Sequence, residues 1–507
     1  MLSSCCPCFA GLGSPPGRPL AKRKRSYVTS ERRRMSCHEQ KIEEVYECQE
    51  VIGHGAFGVV RKVVQKKTGK LRVMKHCEKA KILDVDGFMF ECSIQADLDH
   101  PHICRVVEVF QDALSFDIVM ELCNGGDFSE CLEKIGCLEE AEARCIFEQI
   151  MYAVAYMHSS RIVHRDLKPE NFLLKCGHGD EDSITKKLLK LTDFGFARPI
   201  PDGEKTMKTI LGTPPYMAPE LWNGPYDEKV DVWSSGVILY EILCGVAPFG
   251  SVDDDPDDIF KRSARGKLAF AETQWQHISG FGKLLVHQCL KNDPDNRASA
   301  QEVMRSSWLE QEHDSPLSPS KRDGKHLKSI FRKFSQGCIA YETQTDFYKA
   351  AAFQIAHNAS DKQMLELRQM FEEMDTEKNG FLTVGEIQQG LEEFGVSAED
   401  IKDLFERHGK DAPDSIQYTE FVSVMMGTSR AAASKDAMWE AFRTFDVDGD
   451  RHLNKEELKN MLSRMEEVTD EHVEEMLNEV DTKHQGFIDF DEFFAYMQKA
   501  GICVALL

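Results

Sequence analysis

Hydrophobic and polar positions change rhythm three times along the 507 residues. Up to about residue 44 no apolar period forms. Cys5, Cys6, Pro7 and Cys8 are followed by two basic runs, Lys22–Arg25 and Arg32–Arg34, and this composition predicts a disordered extension over 1–44. From Tyr46 short runs of alternating apolar residues predict strands, beginning with Tyr46–Ile52. Longer helical patterns then follow, among them Glu139–His158 and Val230–Leu243, and the large mixed domain closes near Trp308. A Ser/Pro/Lys stretch, Asp314 to Lys325, reads as a linker. Beyond it the helical period returns. From residue 371 one unit occurs four times at spacings of about 35 residues: a helix ending near Phe or Leu, a polar loop, a β-former, a Glu, and a second helix.

Charge sharpens this division. The net charge is −23, yet the first 40 residues are basic and most of the acidic excess falls after about residue 360, so the parts have different partners. Apolar (42%) and charged (29%) contents are those of a soluble globular chain. Seventeen cysteines lack framework spacing and no secretory signal is read, which predicts reduced thiols in the cytoplasm. The longest apolar stretch, Val237 to Phe249, contains Glu241 and is too short to span a bilayer. No feature points to nucleic acid.

The chemistry-bearing motifs lie in the middle domain. Gly53, Gly55 and Gly58 stand in a glycine-rich turn after the first strand, where backbone amides can approach a polyphosphate. Lys75 follows 17 residues beyond Gly58, and Glu91 is the carboxylate expected to orient it. His164-Arg165-Asp166-Leu167-Lys168-Pro169-Glu170-Asn171, Asp193-Phe194-Gly195 and Ala218-Pro219-Glu220 come next, in that order. The set resembles the protein-kinase signature over roughly residues 46–308. The resemblance implies a two-lobed α+β kinase fold, with ATP held by Gly53, Gly55, Gly58, Val60, Lys75, Glu91, Met120, Glu121, Asn171 and Asp193. It implies Asp166 as the group that takes the substrate hydroxyl's proton, Lys168 as partner of the transferring phosphate, and Asn171 and Asp193 as oxygen ligands for Mg2+. Lys168, with Gly212-Thr213, implies serine/threonine specificity, and Glu220 implies a buried arginine partner, Arg297. Asp127 and Glu170 resemble positions that read arginines before the target residue; a generic acidic surface is the alternative.

The four repeats resemble EF-hands, whose twelve-residue loop offers oxygens at positions 1, 3, 5, 7, 9 and 12 and turns at a glycine in position 6. An all-α, calmodulin-like domain over 363–507 is implied. Loop one (375–386) has Asp375, Glu377, Asn379, the Phe381 carbonyl and Glu386. Loop two (409–420) has Gly409 at position 1 and Asp414 in the glycine position, so it is expected to be structural, with Ile416 pairing with Leu382. Loop three (446–457) has Asp446, Asp448, Asp450, the His452 carbonyl and Glu457, but Arg451 replaces the glycine. A left-handed non-glycine residue costs roughly 1–2 kcal/mol, so binding weakened about tenfold is expected. Loop four (481–492) keeps Gly486, Asp489 and Glu492 but has Lys483 at position 3 and Gln485 at position 5, so Asp481, Gln485, the Phe487 carbonyl and Glu492 are expected to form a weak or empty site. Ca2+ at loops one and three is the resulting expectation.

Between the two parts (309–362) Leu327, Ile330, Phe331 and Phe334 form one apolar stripe ringed by Lys325, Lys328, Arg332 and Lys333. A basic amphipathic helix suits an opened EF-hand groove, and equally a permanent seat on the kinase. The order kinase, junction, four EF-hands resembles the calcium-dependent protein kinases of plants and apicomplexan parasites. It implies autoinhibition by the junction and release by calcium. Leu2 stands where a myristoylated glycine would; Cys5, Cys6 and Cys8 beside basic runs suit palmitoylation at an anionic membrane, or an unmodified tail. Three functions follow: a calcium-switched kinase, a kinase on a decayed sensor scaffold, and a non-catalytic calcium-responsive adaptor. The intact first loop favours the first, the broken loops the second; the third requires an inert kinase despite Lys75, Asp166 and Asp193.

Overall fold

Apolar alternation gives each strand of the first lobe two faces, and both are covered. The computed structural model describes residues 37–38, 41–55, 58–176, 183–200, 207–310, 324–359, 361–392, 415–426, 434–462, 469–500 and 502. Strands β1 (Cys37–His38), β2 (Tyr46–Gly55), β3 (Gly58–Gln65), β4 (Leu71–Glu78), β5 (Val106–Gln111) and β6 (Ser115–Glu121) form a sheet in the order β1-β5-β6-β4-β3-β2. All pairs are antiparallel except β1–β5. On one face Cys77, Val109 and Ile118 pack under the Val85–Asp97 helix, whose Phe88 stacks on Phe116. On the other, Met74, Phe110 and Val119 join Ile42 and Tyr46. The expected disordered stretch 1–44 is therefore too long. Cys37–His38 pair with β5 and Ile42 is buried, because Ile42 completes an apolar face that β4–β6 alone leave open. Residues 1–36, with the candidate lipidation cysteines, lie outside the described residues.

The second lobe is helical around Glu140–Ser159 and Lys229–Cys244, both buried along most of their length. The Glu140–Ser159 helix starts at a reciprocal capping box between Glu139 and Glu142, which satisfies amides that would otherwise lack partners.

The third unit is all helical, with short antiparallel contacts joining its loops in pairs. Leu382 pairs with Ile416, as expected from sequence, and Leu453 pairs with Ile488. Its apolar core runs from Ile330 to Ile502. The boundary read at residue 363 therefore divides one packing unit: the junction helix (Gly324–Glu342) and a second helix, Asp346–Asn358, belong to the sensor core. Ile330, Phe331 and Phe334 are buried there, with Phe334 stacked on Phe421 at 5.4 Å. The Leu327 side chain lies outside the described residues.

The sensor sits on the flank of the kinase. Lys70 and Arg72 bind Glu440 at 2.9 and 3.0 Å, Arg443 binds Glu108, and Thr419 donates to Asp99. Lys70 and Arg105 also donate to the carbonyls of Asn358 and His357, at the C-terminal end of a helix where cations are favoured. Among the described residues no helix is long and apolar enough to cross a membrane.

Candidate functional site: a phosphoryl-transfer cleft with a calcium sensor

The cleft begins at the β2–β3 hairpin, where Gly55 faces Gly58 across the register. A Cβ at Gly58 would fall 2.0 Å from the His76 carbonyl oxygen, so the close approach of β3 to β4 requires glycine there. Val60 lies opposite Lys75, and Val73 opposite Met120. Lys75 is 3.8 Å from Asp193. The structure does not join Lys75 to Glu91: Glu91 pairs with Arg198 at 2.9 Å instead, a guanidinium that takes the place the Lys75 ammonium was expected to fill. Glu121 is also placed differently from the sequence reading. Its buried carboxylate binds Lys175 and Lys190 and accepts the Arg105 amide, and its own amide donates to the Arg105 carbonyl, so its side chain and amide are engaged within the protein.

The catalytic loop is a closed hydrogen-bond network. Thr213 donates to Asp166 Oδ1 at 2.8 Å, Lys168 Nζ donates to Thr213 at 2.8 Å and lies 3.3 Å from Asp166 Oδ2, and Asn171 Nδ2 donates to the Asp166 carbonyl at 2.7 Å. Two residues here take left-handed backbone, Arg165 at φ 72° and Asp193 at φ 60°, a concentration of strain typical of functional sites. The support is Asp231, missed in the sequence reading. Fully buried, it accepts the amides of His164 and Arg165, both at 2.8 Å, and pairs with His158 at 3.0 Å. Burial works to raise its pKa, but His158 and these donors hold it below the ordinary range. Phe194 packs edge-on against His164 at 5.0 Å, and Arg297 grips Glu220 through two contacts, at 2.5 and 3.0 Å.

The substrate face has acids of unequal freedom. Asp127 caps the Phe128–Ile135 helix, accepting the Ser129 and Glu130 amides on one oxygen. Glu170 is exposed. Glu241, which no sequence motif marks, accepts from the Tyr216 hydroxyl at 2.8 Å, and burial, with Glu170 adding to it, raises its pKa. Only the three-dimensional proximity of Glu170 and Glu241 makes them a pair.

The calcium loops differ as their sequences do. In loop one Asp375 accepts the amides of Asn379 and Gly380, Glu386 accepts those of Glu377 and Thr383, and Asn379 accepts that of Phe381. Asp375 is 0% exposed, and burial, with Glu386 adding, raises its pKa to about 6. In loop three Asp446, Asp448 and Asp450 bring carboxylate oxygens within 4.8 Å of one another, and Glu457 accepts the Val447 and Asn454 amides. Burial and Glu457 raise Asp446 to about 6. Crowded, partly dehydrated carboxylates of this kind fit a hard divalent ion, which would relieve both burdens. Loop four lacks this crowding. Lys483 pairs with Asp489, and Asp481 is held low despite burial by the amides of Gln485 and Gly486. Positions 409–414 of loop two lie outside the described residues; Glu420 accepts the Gln417 amide.

A small lobe of sheet, a helical lobe and a preorganised Asp166–Lys168–Asn171 loop define a protein kinase, here carrying an EF-hand unit. The protein kinase domain model matches residues 46–309, and the EF-hand domain pair model matches 435–498, the third and fourth loops. The chain is 34% identical over 465 residues to calcium-dependent protein kinase 5 of Plasmodium falciparum, covering 90% of this chain and 78% of that one. It is 33% identical over 454 residues to calcium-dependent protein kinase 17 of Arabidopsis thaliana, covering 88% and 82%. The chain belongs to the calcium-dependent protein kinase family.

Proposed function

We propose that the chain transfers the γ-phosphate of ATP to Ser or Thr hydroxyls of protein substrates under the control of calcium bound at loops one and three. The Asp166–Thr213–Lys168 network carries the reading, because it fixes a carboxylate and an ammonium side by side where the hydroxyl and the transferring phosphate would meet. Asp166 accepts the proton of the substrate hydroxyl. Lys168 neutralises charge on the phosphoryl oxygens, and Lys75 holds the α- and β-phosphates. Asn171 and the half-exposed Asp193 supply the oxygen ligands that suit Mg2+, which when bound screens the phosphate charge. Arginine before the target residue is the preferred substrate feature, since a guanidinium between Glu170 and Glu241 relieves their mutual repulsion.

For regulation, calcium favours the arrangement in which the junction stripe lies in the sensor, and without it the junction covers the cleft. Differential affinity for the two arrangements is what makes calcium a switch. The kinase domain spans 45–308, with its regulatory unit beginning at the junction helix. Attachment to an anionic membrane through Cys5, Cys6 and Cys8 is part of the proposal, and their replacement by Ser is expected to empty the membrane fraction.

Transfer of labelled phosphate from Mg-ATP to an arginine-containing serine peptide, with calcium and with chelator, tests the function. Activity confined to calcium is expected. Equal activity in both conditions rejects the switch, and silence in both, after prior activation-segment phosphorylation, rejects the enzyme.

A further inference from the structure

Loop one is not an isolated calcium loop, since its first and seventh positions are built into the kinase lobe. The Tyr152 hydroxyl, on the Glu140–Ser159 helix, donates to Asp375 Oδ2 at 2.6 Å. The Phe381 ring leaves the sensor altogether and is buried in the kinase core against Tyr156, with ring centroids 5.0 Å apart. Between them Gly380 passes so near Tyr156 that a Cβ would fall 2.5 Å from its ring. His100 packs edge-on to Tyr152 at 4.5 Å and parallel to Tyr156 at 4.9 Å, fixing both rings.

Counting lone pairs on Asp375 gives the consequence. Oδ2 takes the Gly380 amide at 2.7 Å and the Tyr152 hydroxyl, which fills it. Among the described residues Oδ1 takes only the Asn379 amide, at 3.1 Å, and keeps a lone pair for a cation. The Tyr152 bond therefore orients the carboxylate without competing for the ion. Loop three has no such partner among the described residues: the bonds to Asp446 come from Gly449 and Arg451 of its own loop.

We infer that Tyr152 of the kinase lobe is a positioning residue of the loop-one calcium site, so that this site reaches full affinity only when the sensor is docked on the kinase. The inference rests on the reading of loop one as a calcium site. Coupling is reciprocal: calcium at loop one tightens docking by the same factor by which docking tightens calcium. Among the described residues, the first ligand of loop three takes its bonds from its own loop, whereas that of loop one takes one from the kinase.

The test uses the full chain and calorimetric titration with calcium. Glu457→Ala removes the closing ligand of loop three and leaves loop one to be read; Glu386→Ala does the reverse. Adding Tyr152→Phe, which keeps the ring and its packing, is expected to weaken loop one roughly tenfold and to leave loop three unchanged. In the Glu457→Ala protein, calcium is also expected to slow amide exchange in the Glu140–Ser159 helix, and Tyr152→Phe to abolish that response. Equal loop-one affinity with and without the hydroxyl overturns the inference while leaving the calcium reading intact, as does an equal loss at loop three. No calcium uptake at all by Glu457→Ala rejects loop one as a site, and the inference with it.

Discussion

Glu91 lies 2.9 Å from Arg198, while Lys75 reaches 3.8 Å toward Asp193, so one ion pair stands between this cleft and a lysine braced for phosphate. Burial raises the pKa of Glu91 and the Arg198 contact opposes that rise, so losing Arg198 would make Lys75 the nearest remedy. The Glu91–Arg198 pair is partly exposed and worth about 0.5–1 kcal/mol, a roughly two- to fivefold shift in population. Arg198→Ala is therefore expected to raise the calcium-free rate by about that factor, measured as initial velocity at saturating ATP; a fall would mean Arg198 supports the active form. Glu241 carries the second prediction at this scale. Its raised pKa means it gains a proton at a higher pH than an ordinary glutamate, and a neutral carboxyl no longer attracts guanidinium. KM for an arginine peptide should rise as pH falls toward the raised value, while KM for the same peptide with alanine in place of arginine stays flat. Glu241→Gln should narrow the difference between the two peptides, leaving the part that Glu170 supplies, and should flatten its dependence on pH.

At the scale of elements, what could be read from sequence was whatever sits within one turn or loop. The Asp166, Asp193 and calcium-loop motifs are contiguous because a single loop must present all of their atoms, and the Leu382–Ile416 contact follows from the same loop position in paired hands. Asp231 as anchor, Arg198 as partner of Glu91, and Glu241 beside Glu170 depend on chain crossings that no local period encodes. Arg451 shows a subtler limit. It is left-handed at φ 72°, as its loop position demands, but each described loop needs two such residues. Loop one uses Lys378 and Gly380, loop four His484 and Gly486, and loop three Gly449 and Arg451. Each loop thus has one glycine and one strained residue, so Arg451 gives loop three no special handicap. The junction helix carries the prediction at this scale. Phe334 is fully buried in the sensor and stacked on Phe421, and its replacement by Ala is expected to destabilise the sensor by about 3–5 kcal/mol. Phe334→Asp, which cannot enter that core, should leave the kinase poorly activated at saturating calcium. Full activation of Phe334→Asp would show that the stripe need not lie in the sensor for the enzyme to work.

The whole molecule is held in one piece by charge as much as by apolar contact, and Glu440 is the test of that balance. It is buried between Lys70, just before β4, and Arg72, within β4 and three residues before Lys75. Burial, with the Arg72 charge adding, lowers the pKa of Lys70 to about 8, so these two cations are tolerated together only because Glu440 stands between them. A buried pair contributes little relative to an apolar one, but removing one partner leaves uncompensated charge and costs about 3–5 kcal/mol. Glu440→Gln strands two cations at once. The sensor is expected to leave the flank, seen as a larger radius of gyration in solution scattering and as two thermal transitions in place of one. Glu474→Gln, which breaks the exposed pair with Lys455 inside the sensor, should change neither. If Glu440→Gln stays compact, the remaining contacts, Arg443–Glu108, Thr419–Asp99 and Phe381–Tyr156 among them, hold the lobes together. Calcium at loop one, through Asp375 and Tyr152, would then be the main control over docking, and Glu440→Gln with Tyr152→Phe should come apart where neither change alone does.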